Sequence, residues 1–144
     1  MQILPYVFYD GRCEEAIAFY KKAVGAEVKM LTRFSENPDL TQKDCPDGTP
    51  TPVVAPDKVM HADVSIGGSS VLMSDGHAGG QPRFEGFGLS LTVADEAEAK
   101  RCFDGLVQGG TVVMPLGKTF FSPSFGMLND PFGVMWMVYV APGR

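Results

Sequence analysis

Apolar and polar positions along this chain fall into an order that occurs twice. Residues 4–9 read as an apolar strand, Asp10-Gly11 as a turn, residues 13–24 as a helix, and residues 27–34 as a second strand beyond Gly25. Further on, residues 89–93, Asp95, residues 96–107, Gly109-Gly110 and residues 111–116 repeat that order. Two more strand-like runs follow each copy. A βαβββ unit cannot bury its own sheet face, so the pattern predicts paired halves with a cleft between them. The expected fold class is α+β, with two βαβββ modules whose curved mixed sheets form a cleft. Residues 1–144 make a single domain, with module one at about 1–78, a linker at about 76–83 and module two at about 84–144.

Both predicted helices carry end signals. Glu14 and Glu15 sit in the first turn of helix one and Lys21 and Lys22 in its last, complementing the macrodipole, and Gly25 stops it. Cys13, Ala16, Ile17, Tyr20, Ala23 and Val24 make one apolar stripe at helical spacing. Helix two starts at Asp95, with Glu98 completing a capping box, and its stripe is Ala99, Cys102, Phe103, Leu106 and Val107. Each helix is expected to cover one face of a sheet.

In residues 60–66, Met60, Ala62, Val64 and Ile66 alternate with His61, Asp63 and Ser65; in residues 88–93, Leu89, Leu91 and Val93 alternate with Gly88, Ser90 and Thr92. Period-two alternation turns one face to a helix and leaves the other, small and polar, for a solvated concavity. Residues 134–140 are apolar throughout, which predicts a strand covered on both faces. Residues 35–57, rich in proline, read as a long loop, either a surface excursion or a lid or dimer arm. Residues 75–83, with three glycines and Pro82, read as the inter-module linker.

Charge and cysteine usage narrow the function classes. A net charge of -5 with scattered basic residues argues against nucleic acid. No apolar run reaches the roughly 18–20 residues of a membrane span, and no signal peptide is evident at the N-terminus. Three cysteines in unrelated contexts suit a reducing compartment, so a cytoplasmic location is expected. Cys13 at a helix start is also on the buried stripe, and Cys45 lies between acidic neighbours; neither reads as a nucleophile.

The residues Pro5 to Gly11, Cys13 to Ile17 with Phe19-Tyr20, His61-Ala62-Asp63, Met73-Ser74-Asp75, Thr119-Phe120, Phe125-Gly126, Asp130, Phe132-Gly133-Val134 and Trp136-Met137 resemble the vicinal oxygen chelate superfamily. That is the glyoxalase, bleomycin-resistance and extradiol-dioxygenase fold, and the likeness is to its PhnB-like branch. It spans essentially the whole chain and is specific to fold rather than to activity. A methyltransferase activity, sometimes attached to that branch, calls for a doubly wound cofactor domain and a glycine-rich turn that this sequence lacks. The resemblance implies a homodimer and, for metal-dependent members, four ligand positions. Laid on this chain, those fall at Pro5, Met73, Gly88 and Met137, none of which suits a divalent ion, so no metal and no cofactor is expected.

His61 and Asp63, two apart on a strand, point to one face. They read as a general base held by a carboxylate, or as a polar anchor for a ligand; the plainer reading is a hydrogen-bonded pair at the cleft edge or a dimer contact. Asp75 and His77 could join them in a two-histidine metal site, though the spacing follows no ligand pattern. Phe120, Phe121, Met127, Met135, Met137 and Tyr139, with Met73 and Ser90, read as lining for a planar or lipophilic ligand, or else as filling for the cleft. On the superfamily overlay Met135, Met137 and Tyr139 share the concave face. The expected function is a metal-independent small-molecule-binding protein. The alternative is a lyase or oxygenase-type enzyme using His61 and Asp63 or a non-standard metal site.

Overall fold

The computed structural model describes residues 1–36, 56–76 and 82–142. In chain order its elements are β1 (Tyr6–Phe8), α1 (Cys13–Val24), β2 (Glu27–Arg33), a short 3₁₀ turn (Phe34–Glu36), β3 (Val59–Ile66), β4 (Ser69–Ser74), β5 (Leu89–Val93), α2 (Glu96–Leu106), β6 (Thr111–Gly117), β7 (Phe125–Asn129) and β8 (Met135–Val140). The repeat read from the sequence is therefore a repeat of topology. One sheet runs β1-β4-β3-β2 and the other β5-β8-β7-β6. In each, the strand preceding the helix pairs parallel to the last strand of its set, and the other pairings are antiparallel. Two mixed four-stranded sheets and two helices make this an α+β fold.

The chain divides into two compact units, Met1–Ala18 with Ala26–Pro82 and Phe19–Gly25 with Arg83–Arg144. The division falls inside α1. In the first unit Val7, Val59, Ala62, Val64 and Met73 form the buried face of the sheet. In the second, Leu128, Val134, Trp136 and Val138 are buried together with Phe103 and Leu106 of α2, which packs on β5, β7 and β8. Tyr20, from the α1 segment assigned to this unit, sets its ring 5.3 Å from that of Trp136.

Local end signals act as the sequence predicts. Asp95 caps α2 by accepting from Glu98 N at 2.8 Å, and Glu98 reaches back to Ala94 N at 3.0 Å. Gly25 ends α1 at φ +68°, a conformation disfavoured for any side chain with a Cβ. One expectation holds only in part: β8 is apolar throughout, yet one face is buried and the other partly exposed. Trp136, Val138 and Val140 are buried while Met135, Met137 and Tyr139 stay half-exposed. An apolar run without alternation cannot report which parity faces the helix.

Most of the proline-rich segment, including Cys45, and most of the predicted linker, including His77, lie at 37–55 and 77–81, outside the described residues. The ends of the long loop close on each other: Phe34 N donates to Lys58 O at 3.1 Å and Ser35 N to Pro56 O at 2.9 Å.

Candidate functional site

Each sheet turns one face toward a helix or the core and leaves the other open. On β3, Ala62, Val64 and Ile66 are buried, whereas His61, Asp63 and Ser65 share the opposite face. Register brings neighbours to that face: Asp63 stands opposite Leu72 on β4 and Met30 on β2, and Leu72 in turn stands opposite Tyr6 on β1. The Tyr6 hydroxyl lies 2.8 Å from His61 Nδ1, and its ring stacks on Phe8 at 4.8 Å. Burial raises the Tyr6 pKa, against a hydrogen bond with Ser74 that lowers it. The hydroxyl and Nδ1 share this one hydrogen bond, in which Tyr6 is the donor when the imidazole proton sits on Nε2.

Asp63 does not hold His61; the partner of the imidazole is Tyr6. Asp63 Oδ1 is sealed from solvent and takes no hydrogen bond among the described residues. Such an orphan acceptor costs roughly 1–3 kcal/mol. Met73 is corrected as well. It is fully buried, in register with Val7 and Ala62, on the face opposite His61. A shift of one residue along a strand reverses the face, so the open-face neighbours are Leu72 and Tyr6. Tyr6 and Phe8 were missed as site residues, although their shared parity in β1 was a usable signal.

On the second sheet, register aligns Ser90 with Met137 and Thr92 with Tyr139, and across β7 aligns Met127 with Met137 and Asn129 with Met135. Ser90, Met127, Met135, Met137 and Tyr139 thus share one open face. Phe121 stacks near Tyr139, centroids 6.2 Å apart, and meets Phe125 edge-on at 5.0 Å. Ser122 anchors the loop that carries Phe121: its buried Oγ lies 2.6 Å from Val140 O and 2.8 Å from Ser124 O. Phe120 is fully exposed and meets Phe121 edge-on. Ser122 is a contribution that strand alternation alone could not reveal.

A groove of about 820 Å³ lies elsewhere in this unit, between α2 and β6, lined by Phe103, Val112, Pro115, Leu116 and Ser124 with Glu96, Lys100 and Asp104. It is on the helix side of the sheet and includes none of the predicted site residues. Neither thiol among the described residues suits nucleophilic work. Burial pushes Cys13 up to about 12, with Asp75 and Glu14 adding to the shift, and burial raises Cys102.

The donors do not fit a divalent ion. Among the described residues no three His, Cys, Asp or Glu side chains converge. The open face of the first sheet supplies His61, Asp63 and Tyr6, of which His61 and Tyr6 are bonded to each other. On the second sheet, Gly88 has no side chain, and a Cβ placed there would come within 2.8 Å of the Met135 terminal methyl. Sulfur of Met137 is a poor ligand for Zn²⁺, Mn²⁺ or Fe²⁺.

Comparison with known proteins agrees with this geometry. The family model for the Glyoxalase/Bleomycin resistance protein/Dioxygenase superfamily matches residues 2–138. Protein YjdN of Escherichia coli strain K12 is 38% identical over 143 residues, covering 97% of this chain and 95% of that protein. Protein PA1353 from Pseudomonas aeruginosa is 36% identical with a TM-score of 0.78, covering 98% of each chain. The PhnB protein from Bacillus cereus is 28% identical with a TM-score of 0.77, covering 98% of this chain and 100% of its own.

Proposed function

Because the chain belongs to the glyoxalase/bleomycin resistance protein/dioxygenase superfamily, in its PhnB-like branch, we propose that it binds a planar or lipophilic small molecule without a metal ion. The observation that carries this reading is β8. A strand apolar throughout leaves Met135, Met137 and Tyr139 half-exposed on one face, with Phe121 beside the Tyr139 ring. Flexible thioethers beside aromatic rings adapt to flat apolar ligands, and the polar groups of Ser90 and Asn129 on the same face would orient them. Metal-free binding is supported by the donor chemistry at the superfamily's ligand positions.

Met137→Lys tests the reading. A half-exposed position tolerates a lysine that extends its ammonium into water, so melting temperature should change little. Affinity for aromatic ligands found by thermal-shift screening should fall at least about tenfold, a loss of about 1.4 kcal/mol. Ligand-induced stabilisation should survive exhaustive chelation. Stoichiometric metal in protein purified without an affinity tag, or full affinity retained by Met137→Lys, would reject the proposal.

The 2.8 Å contact between Tyr6 and His61 favours a second reading, in which His61 Nε2 exchanges a proton with a substrate on the first sheet. Under it, His61→Ala should abolish any turnover found with small carbonyl or phenolic substrates; undiminished turnover would remove His61 from the chemistry.

A further inference from the structure

One oxygen on the open face of the first sheet has nothing to bond. Asp63 Oδ1 is shielded from water and, among the described residues, accepts no hydrogen bond. Native folds rarely leave a buried carboxylate oxygen so, and an exception calls for a use. Its neighbours in register, Leu72 on β4 and Met30 on β2, have no proton to give. His61, two residues along the same face, is engaged by the Tyr6 hydroxyl at 2.8 Å. Beside them Tyr6 and Phe8 stack at 4.8 Å, and both rings are substantially exposed, at 40% and 51%.

Resting on the small-molecule reading above, we propose that the first sheet binds a planar aromatic cation whose protonated nitrogen donates to Asp63 while its ring lies on Tyr6 and Phe8. A carboxylate accepts and never donates when ionised, so it selects a donor and repels an anion. Because the fold has already stripped water from Oδ1, a donor arriving there gains a charge-assisted bond without first displacing solvent from that atom. The net charge of -5 favours a cation at longer range. Met30, 45% exposed and unbranched, is the register neighbour able to yield as the nitrogen enters.

The experiment compares naphthylmethylamine, naphthalenemethanol and methylnaphthalene by calorimetric titration into the full chain and into Asp63→Asn. The intact chain should prefer the ammonium compound over the hydrocarbon at least about tenfold, with the alcohol between. In Asp63→Asn that preference should fall below about twofold, while the hydrocarbon binds as before. Equal binding of all three to the intact chain, or a preference that survives Asp63→Asn, overturns the assignment and leaves small-molecule binding standing. Binding of none overturns both. Melting supplies an independent check. Removing an acceptor that has no partner should leave Asp63→Leu at least as stable as the parent, with a rise of about 2–4 °C expected. A fall in melting temperature would mean that the carboxylate serves the fold, and the proposal would be withdrawn.

Discussion

Replacing Asp130 with alanine is expected to cost about 4 kcal/mol of folding stability. The side chain is 3% exposed and collects four donors. Oδ1 accepts from Phe132 N at 2.9 Å and Val134 N at 3.0 Å; Oδ2 accepts from the Tyr20 hydroxyl at 2.5 Å and Trp136 Nε1 at 2.9 Å. One carboxylate thus shapes the turn between β7 and β8 and ties α1 and β8 to it. Each buried donor left without an acceptor costs roughly 1–3 kcal/mol, and water entering the space recovers part of the sum. Against a total of about 5–15 kcal/mol for a domain, the variant would be close to unfolding. Asp130→Asn keeps one oxygen but opposes its amide nitrogen to Trp136 Nε1, donor against donor, and should cost about 2 kcal/mol. Urea unfolding measures both. An Asp130→Ala variant within about 1 kcal/mol of the parent would show that the four donors have other acceptors.

The same residue gives a pH dependence with a definite sign. Burial raises the Asp130 carboxyl above its ordinary 3.8, against the lowering effect of Tyr20, Trp136, Val134 and Phe132. The folded chain therefore holds a proton at pH values where the unfolded chain has lost it. That contribution to stability is full below 3.8 and is lost as pH rises through the folded value. The advantage of the parent over non-titrating Asp130→Asn should grow as pH is lowered from about 7 toward about 4. A shrinking advantage would mean that the four donors outweigh burial.

Asp75→Ala is the second large effect, a loss of about 3 kcal/mol. This side chain, 1% exposed, accepts from Gly11 N at 2.9 Å and Cys13 N at 2.8 Å on Oδ1, and from Val59 N at 2.7 Å on Oδ2. Cys13 is the first residue of α1, and the residue before it, Arg12, has no side-chain acceptor to offer as a cap. The acceptor arrives instead from the end of β4, far along the chain. Its removal leaves three backbone donors unsatisfied and loosens the start of α1 and of β3 together. Amide exchange should accelerate at Gly11, Cys13 and Val59 beyond the general loss of stability. Unchanged protection at those three amides would contradict this account.

These two aspartates mark where sequence reasoning stops. In the sequence Asp75 reads as a member of a metal cluster and Asp130 only as part of a family likeness, because a buried acceptor is recognised by donors distant in sequence. Asp95, by contrast, was legible as a cap because its partner Glu98 lies within the same turn. Gly25 was legible for the same local reason, its left-handed conformation closing α1. His61 and Asp63 were correctly placed on one face by alternation, yet the partner of His61 proved to be Tyr6.

The amino-acid order by itself determined the twofold repeat, both helices with their buried stripes, and the alternation that divides β3 and β5 into two faces. These follow from periodicities and end signals carried within a dozen or so neighbouring residues. Tertiary structure alone decided that Met73 faces the core and that Asp63 keeps an oxygen unbonded among the described residues. Parity along one strand says which side chains travel together. Only pairing with neighbouring strands fixes which of the two sides meets the core, and a strand apolar throughout carries no parity to read.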